Sequence, residues 1–214
     1  MHDFGQKLTT SLGERQRLDL EAIQALIPGC VSVIKTDTAD DVLGVDYVAT
    51  LRNGAEIYID AKSREKGASK YWRDGVPELA LETWSIAPGG KFNTPREKAK
   101  TGWLLCEKKK TDMIYYTFDP SDSHCTYLLP FQHLRMAFLR NHAAWTRQYK
   151  PKPQDSIYGV DRWQSICYFI PAPVVIDAIS AIMCGGALLA PINTIRPRYK
   201  ALKPESRDSR IRFS

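Results

Sequence analysis

Two aspartates and one lysine, Asp46, Asp60 and Lys62, are the residues of this 214-residue chain whose types and spacing point to chemistry. They lie in the segment 44–62, which has the sequence GVDYVATLRNGAEIYIDAK. Carboxylates are the hard oxygen ligands that Mg²⁺ prefers, and a cation beside a phosphodiester offsets the charge that develops during its cleavage. If the three side chains share one face of a sheet, they predict a magnesium-dependent phosphodiester hydrolase.

The segment that carries these residues has the pattern of a β-hairpin. Its second half places Ile57 and Ile59 on one face and Asp60 and Lys62 on the other, which is the alternation of a strand. Asn53-Gly54 supplies the positive φ angles that a tight turn requires. Two antiparallel strands joined by a short turn are therefore predicted.

The length of the turn decides whether the two acids meet. A two-residue turn would direct Asp46 and Asp60 to opposite faces, because a slip of one residue reverses every side chain. A three-residue turn over 52–54, with Gly54 as the left-handed bulge residue, sets Asp46 opposite Asp60. Their β-carbons would then be about 4.5–5.5 Å apart, where two carboxylates repel unless a cation lies between them or one is protonated. A metal site needs this second register, or a bulge near Asp46.

This arrangement resembles the PD-(D/E)xK nuclease superfamily. In that family an acid opens the second strand of a three-strand meander and an acid-x-lysine triplet lies on the third, positions that Asp46 and Asp60-Ala61-Lys62 match. Val45 stands where the family often has proline. The resemblance covers residues 10–118 and implies an α/β restriction-endonuclease-like fold, with a mixed central sheet flanked by helices. The implied order is a helix, three strands, a second helix and a further strand.

The same resemblance implies an activity and a cofactor. Asp46 and Asp60 would hold Mg²⁺ or Mn²⁺, and Lys62 would orient the attacking water or stabilise charge. The expected reaction is endonucleolytic hydrolysis of DNA by activated water, without a covalent enzyme intermediate. A homodimer is possible, because cutting both strands with one site per chain usually requires two copies.

Many members of the family also carry a glutamate on the first helix. Residues 11–29 predict that helix, with Ile23 and Ile27 at helical spacing and Pro28-Gly29 at its end. Glu14 is the expected family glutamate and Glu21 the alternative. An acid near a helix start also complements the helix dipole, which is an equally good explanation of Glu14.

Two segments after the triplet complete the expected core. In 77–85, Glu82 is a candidate for a further metal or water contact, although a surface glutamate needs no such role. That segment puts Glu78 and Glu82 on one face whether it is helical or extended. Residues 111–118 are apolar and aromatic and predict the buried fourth strand, in which Asp112 is expected to be structural.

Basic and aromatic residues follow the catalytic strand directly. The loop 63–75 has a composition suited to phosphate contacts and base stacking. Lys109, in a run of three lysines before the fourth strand, is placed to contact the nucleic-acid backbone. Charged turns between strands are common, which is the alternative explanation of these lysines. The candidate nucleic-acid contacts are Arg64, Lys66, Lys70, Trp72, Arg73 and Lys109.

Charge is concentrated at the end of the chain. The net charge is +6 and the pI about 9.0, and the tail 196–214 alone carries seven basic and two acidic residues. Such a tail serves equally well as a nucleic-acid arm or as a solubilising segment.

Residues 1–195 are expected to form a single domain, with 119–195 as additions to the nuclease core. Those additions predict a strand at 125–129, a helix at 131–149, a loop or flap at 150–156, a strand at 163–170 and a helix at 174–183. Five cysteines without a Cys-x-x-Cys pair predict reduced thiols and a cytoplasmic setting. Glycines and a proline interrupt the uncharged stretch 178–195, which argues against a membrane span.

Two other classes of function fit the same residues. The first is a catalytically inactive nuclease-fold protein that acts as a nucleic-acid-binding or inhibitor protein, which a metal titration would distinguish. The second is a phage or plasmid interaction protein whose basic tail docks a partner. The form of the substrate, whether duplex, junction, single strand or RNA, stays open at this stage.

Overall fold

The computed structural model describes residues 16–37, 43–64, 72–118, 126–158 and 161–185, and within them the chain is a mixed α/β protein. The α-helices among these residues are α1 at 16–26, α2 at Phe131–Tyr149 and α3 at Ala172–Met183. The strands are β1 Cys30–Lys35, β2 Tyr47–Leu51, β3 Glu56–Arg64, β4 Glu78–Ile86, β5 Lys100–Thr101, β6 Met113–Phe118, β7 Thr126–Pro130, β8 Lys152–Tyr158 and β9 Asp161–Pro171. None of the helices in the described segments is both long and apolar enough to cross a bilayer.

Five of the strands form a mixed sheet in the order β1-β2-β3-β6-β7. The strands β1, β2 and β3 make an antiparallel meander, β6 runs parallel to β3, and β7 is antiparallel to β6. The predicted fourth strand is therefore confirmed and lies next to the strand that carries Asp60 and Lys62.

The predicted hairpin is also confirmed, in the three-residue-turn register. Tyr47 pairs with Ile59, the Leu51 N–H donates to the Ala55 carbonyl at 2.8 Å, and Gly54 has φ +80°. Gly54 is thus the left-handed residue of a bulged turn.

Helix α1 covers one face of this sheet. Ile23 and Ile27, two of the predicted apolar positions, are buried there against Tyr47 and Ile59. Since side chains alternate along a strand, the even-numbered residues of β3 point to the opposite face. Asp60 and Lys62 therefore lie on the side of the sheet away from α1.

A second, antiparallel sheet has the order β5-β4-β9-β8. Its strand β4 takes up the segment whose conformation the sequence left open, and it lies within the connection between β3 and β6. The restriction-endonuclease-like order implies a helix there, but the described part of that connection, 72–112, contains no α-helix. The alternation of Glu78, Leu79, Ala80 and Leu81, with only the leucines in the apolar core, explains the extended conformation.

The prediction of a loop at 150–156 is wrong, because β8 occupies Lys152–Tyr158 and pairs with β9. The sequence predicts a loop because the proline and polar residues of this segment are typical of loops. Pro153 is tolerated because β8 is an edge strand.

Helices α2 and α3 complete the larger core. The helix predicted at 131–149 is confirmed as α2, which buries Phe131, Leu134, Phe138 and Trp145. This core joins the second sheet, the two helices and the face of the first sheet that looks away from α1. Its members include Phe131, Leu134, Phe138, Trp145, Leu81, Ile114 and Ile170.

The two sheets are joined by a hydrogen bond at Tyr116 of β6. Its hydroxyl accepts the backbone N–H of Ala80 on β4 at 2.9 Å. Asp112, the residue before β6, accepts the Tyr58 N–H through its Oδ2 at 2.9 Å. This agrees with the structural role expected of Asp112. The side chains of Tyr116 and Asp112 thus accept hydrogen bonds from backbone N–H groups of β4 and β3, respectively.

Replacement of Tyr116 by phenylalanine should lower the free energy of unfolding by about 1–3 kcal/mol, because the partly buried Ala80 N–H would lose its partner. Urea denaturation measures the change. Tyr58→Phe is the matched control, since it removes an exposed hydroxyl bonded to Glu56 and should cost under about 0.5 kcal/mol. Equal losses in the two variants would contradict the assigned role of Tyr116.

Candidate active site

Asp46 and Asp60 come together on the face of the first sheet that looks away from α1. Asp46 immediately precedes β2, and its Oδ2 accepts the Ala61 N–H of β3 at 2.6 Å. This bond draws the Asp46 carboxyl across to the strand, between Asp60 and Lys62. The shared face follows directly from the register of the hairpin.

The pKa of Asp46 is raised by its burial and by the nearby Asp60 carboxyl. Burial first, and then the neighbouring charge of Asp60, raise it from 3.8 to about 6 against the lowering effects of the Ala61 N–H and of Lys62. Two adjacent carboxyls without a cation between them favour a bound proton. Asp46 is therefore the member of the pair on which that proton is held.

Asp60 is almost completely buried, with 2% of its surface exposed. Its Oδ1 pairs with the ammonium of Lys62, and its Oδ2 lies 3.3 Å from Nζ of Lys109. The lysine side chains are themselves only 26% and 14% exposed. A buried carboxylate costs free energy unless it is paired, so the two ammonium groups are what keeps Asp60 stable in this position.

Lys109 is held in place by its neighbours in the chain. The Lys110 N–H donates to the Leu43 carbonyl at 3.0 Å, and the Thr111 hydroxyl donates to the Gly44 carbonyl at 2.5 Å. The Lys109 side chain passes over Gly44, which has φ +76°, and a β-carbon there would overlap it. Glycine before Asp46 thus opens the path by which Lys109 reaches Asp60.

The sequence predicts Lys109 as a nucleic-acid backbone contact and does not indicate its ion pair with Asp60. Nothing local in a run of three lysines distinguishes the middle one. The glycine at position 44 is the one feature that hints at a side chain crossing the backbone.

The glutamates expected near the metal are placed differently from the aspartates. Glu82 lies on β4, where its Oε1 accepts the Ser85 hydroxyl at 2.5 Å. Glu14 lies outside the described residues, and Glu21 is exposed and pairs with Arg17 at 2.7 Å. Across the described segments no three side chains of His, Cys, Asp or Glu are grouped closely enough to hold one ion. The structure therefore groups Asp46 with Asp60 and leaves Glu82 across the cleft described below.

A pair of carboxylates is a donor set that suits Mg²⁺, which commonly uses one or two protein carboxylates and completes its shell with waters and phosphate oxygens. The raised pKa of Asp46 marks a place where added positive charge is favourable. Both oxygens of Asp60 already contact ammonium groups, so an ion there would have to displace one of them. Lys109, with the longer contact and a flexible side chain, is the one more easily displaced.

A cleft of about 370 Å³ extends from this cluster between the two sheets. It is lined by Lys62, Arg64, Glu82, Trp103, Tyr116 and Cys167 among others. No sequence pattern indicates that the last three line a cleft, since they come from separate strands and a turn without a shared motif. Burial, and then the charge of Glu82, raise the pKa of the Cys167 thiol to about 11, so it stays protonated and is a poor nucleophile.

The proposed nucleic-acid contacts divide into two groups. Arg64 lines the cleft, with its guanidinium 4.6 Å from the centre of the Phe169 ring. Trp72 packs edge-on against Phe118 at 6.4 Å between ring centres, and Arg73 pairs with Glu78 at 2.8 Å. Lys66 and Lys70 lie outside the described residues. Of the proposed nucleic-acid contacts among the described residues, Arg64, at the end of β3, is thus the one that lines the cleft.

Comparison with known proteins finds no matching family model, no similar curated protein and no similar solved structure.

The raised pKa of Asp46 predicts a pH-dependent loss of stability in metal-free protein. Because the folded pKa lies above the unfolded one, the contribution is fully present below pH 3.8 and is lost as the pH rises through about 6. One pKa unit corresponds to about 1.4 kcal/mol, and solvent screening of a half-buried group reduces the total to about 1–2 kcal/mol.

Asp46→Asn removes this titration while its amide oxygen still accepts the Ala61 N–H. Urea denaturation in EDTA should therefore show the variant gaining about 1–2 kcal/mol on the wild type between pH 4 and pH 7. A stability difference between the two proteins that stays constant with pH would overturn the assignment.

Proposed function

We propose that this protein is a metal-dependent endonuclease that hydrolyses phosphodiester bonds of DNA. The observation that carries the proposal is the meeting of the Asp46 and Asp60 carboxyls beside Lys62, with the pKa of Asp46 raised to about 6. A carboxylate pair of this kind is suited to a divalent cation, and an adjacent ammonium is suited to a phosphate.

A restriction-endonuclease-like core is part of the proposal. The meander β1-β2-β3 with β6 parallel to β3 matches the strand order that the resemblance implies. In this chain the second sheet stands in the β3–β6 connection, where the family has a helix.

Asp46 and Asp60 would hold Mg²⁺ or Mn²⁺ through their carboxylate oxygens. The bound cation supplies Lewis-acid activation of water and of the phosphate. Lys62 contributes from the protein side: its ammonium is fixed by Asp60 and also lines the cleft, so it is placed to orient the attacking water or to offset charge on a phosphate entering from that side. Glu82, on the opposite wall, is placed for a further contact to water.

The alternative function is nucleic-acid binding or inhibition without turnover. It is favoured by one observation, that both oxygens of Asp60 are paired with ammonium groups, Lys62 and Lys109. Two such lysines can neutralise the site permanently in the absence of a metal. In that protein Asp46 and Asp60 would be structural.

Cleavage assays with single-site variants test the proposed reaction. The protein with Mg²⁺ or Mn²⁺ should cut labelled duplex, branched or single-stranded DNA, and Asp60→Asn should abolish the activity because it removes a ligand charge. Lys62→Met should lower kcat by about 10²–10³-fold, the usual effect of removing one group that stabilises the transition state.

Lys91→Met is the matched control, because Lys91 is an exposed lysine paired with Asp155 at the edge of the second sheet. Its kcat should equal that of the wild type. The nuclease proposal is wrong if no DNA or RNA substrate is cut by the wild type and spared by Asp60→Asn.

Metal titration separates the enzyme from the inactive alternative. Isothermal titration with Mn²⁺ should give saturable binding to the wild type that is lost in both Asp46→Asn and Asp60→Asn. Proton release should accompany it near pH 6, since the cation displaces the proton held on Asp46. Absence of binding to the wild type supports the lysine-neutralised alternative.

A further inference from the structure

The cleft beside the carboxylates continues along β3 in a direction that a nucleic-acid strand can follow. Lys62 and Arg64 both line it, and they are two residues apart on the same strand face. Two residues span about 6.6–6.8 Å along a strand, so these cations are spaced to contact neighbouring phosphates of one extended strand. The line of positive groups begins at Lys62, which is paired with Asp60 at the proposed metal site.

The volume of the cleft limits how much of a ligand can lie inside it. Its two walls belong to different sheets that are joined behind it by the hydrogen bond between Tyr116 and the Ala80 N–H. Its volume of about 370 Å³ is near the lower end of the roughly 300–1,000 Å³ found for small-ligand sites. This space suits one nucleotide and is too small for a base pair.

The far wall includes the indole of Trp103, which packs in the core and keeps 9% of its surface exposed. A turn that begins at Gly102 is bonded to β4, with the Gly102 N–H donating to the Thr83 carbonyl at 2.8 Å and the Leu104 N–H to the Glu82 carbonyl at 3.2 Å. A β-carbon at Gly102 would overlap the Glu82 backbone, so this close approach requires glycine. The turn places the Trp103 indole beside Glu82, and the Lys62 ammonium lies 5.8 Å from the centre of the indole ring.

We infer that this cleft binds one unpaired nucleotide next to the scissile phosphate. The phosphates contact Lys62 and Arg64, the base packs against Trp103, and Glu82 accepts a hydrogen bond from a base amino group. The inference rests on the proposed nuclease function, which places the scissile phosphate beside the cleft. It adds the class of substrate. The substrate is a nucleic acid with an unpaired nucleotide at the cut site, such as a single strand, a flap or an overhang, and not a continuous duplex.

Binding without metal tests this separately from cleavage. Fluorescence anisotropy in EDTA compares labelled single strands of DNA and RNA, an overhang duplex and a blunt duplex of equal length. The wild type should bind a single strand and the overhang about tenfold more tightly than the blunt duplex, because a stacked base contributes about 1–3 kcal/mol. The tighter of the DNA and RNA strands identifies the natural source of the nucleotide.

Arg64→Met should weaken single-strand binding about tenfold and lower the salt dependence by about 0.7 in log K against log[salt], the loss of one phosphate contact. Arg64→Lys should restore the salt dependence. Arg140→Met is the matched control, because it removes the same charge from an exposed position on α2 and should leave binding unchanged.

Intrinsic fluorescence gives a second measurement that does not depend on the folding of the Arg64 variants. A single strand should quench the wild-type emission more than that of Trp103→Phe, since the lost tryptophan is the one in contact with the base. Equal quenching in these two proteins, equal affinity for blunt duplex and single strand, or equal affinities of Arg64→Met and Arg140→Met would each overturn the inference.

The two proposals can fail independently. Preferential single-strand binding that Arg64→Met weakens, in a protein that cuts nothing, supports the cleft and rejects the nuclease. Cleavage of blunt duplex that Arg64→Met leaves unchanged supports the nuclease and rejects the cleft as a nucleotide site.

Discussion

The register of the β2–β3 hairpin is the constraint on which both the core and the site depend. Tyr47 pairs with Ile59, and both side chains are buried against α1. The adjacent acids, Asp46 and Asp60, therefore point to the other face of the sheet. A slip of one residue would expose the apolar pair and separate Asp46 from Asp60. The same turn residue, Gly54, therefore secures hydrophobic burial and the meeting of the carboxylates.

Charge in the site is balanced inside the protein. Asp60 is held by Lys62 and Lys109, while Asp46 holds a proton up to about pH 6. The desolvation of two charges can cost as much free energy as their pairing returns, so this cluster is not explained by its contribution to stability. Its lysines, one on the same strand and one on a loop, give the site two cations that differ in how easily they move.

The second sheet supplies one wall of the cleft, and the first sheet supplies the other. The hydrogen bond between the Ala80 N–H and Tyr116 holds β4 beside the strand that carries Lys62 and Arg64, and both strands line the cleft. Glu82 and Trp103 then face Lys62 across a narrow space. Under the proposed function, a wall at this position would restrict the approach of a duplex.

The sequence by itself determined the elements whose patterns are local: the hairpin, the helices α1 and α2, and β6. It singled out Asp46 and Asp60 but left two turn lengths open, and the structure has the one in which these residues meet. Only the tertiary structure decided that Lys109 reaches Asp60, that β4 is a strand of a second sheet, and that Trp103 lines the cleft. These depend on contacts between segments far apart in the chain, where burial and charge pairing select the partner and no short-range periodicity records the choice.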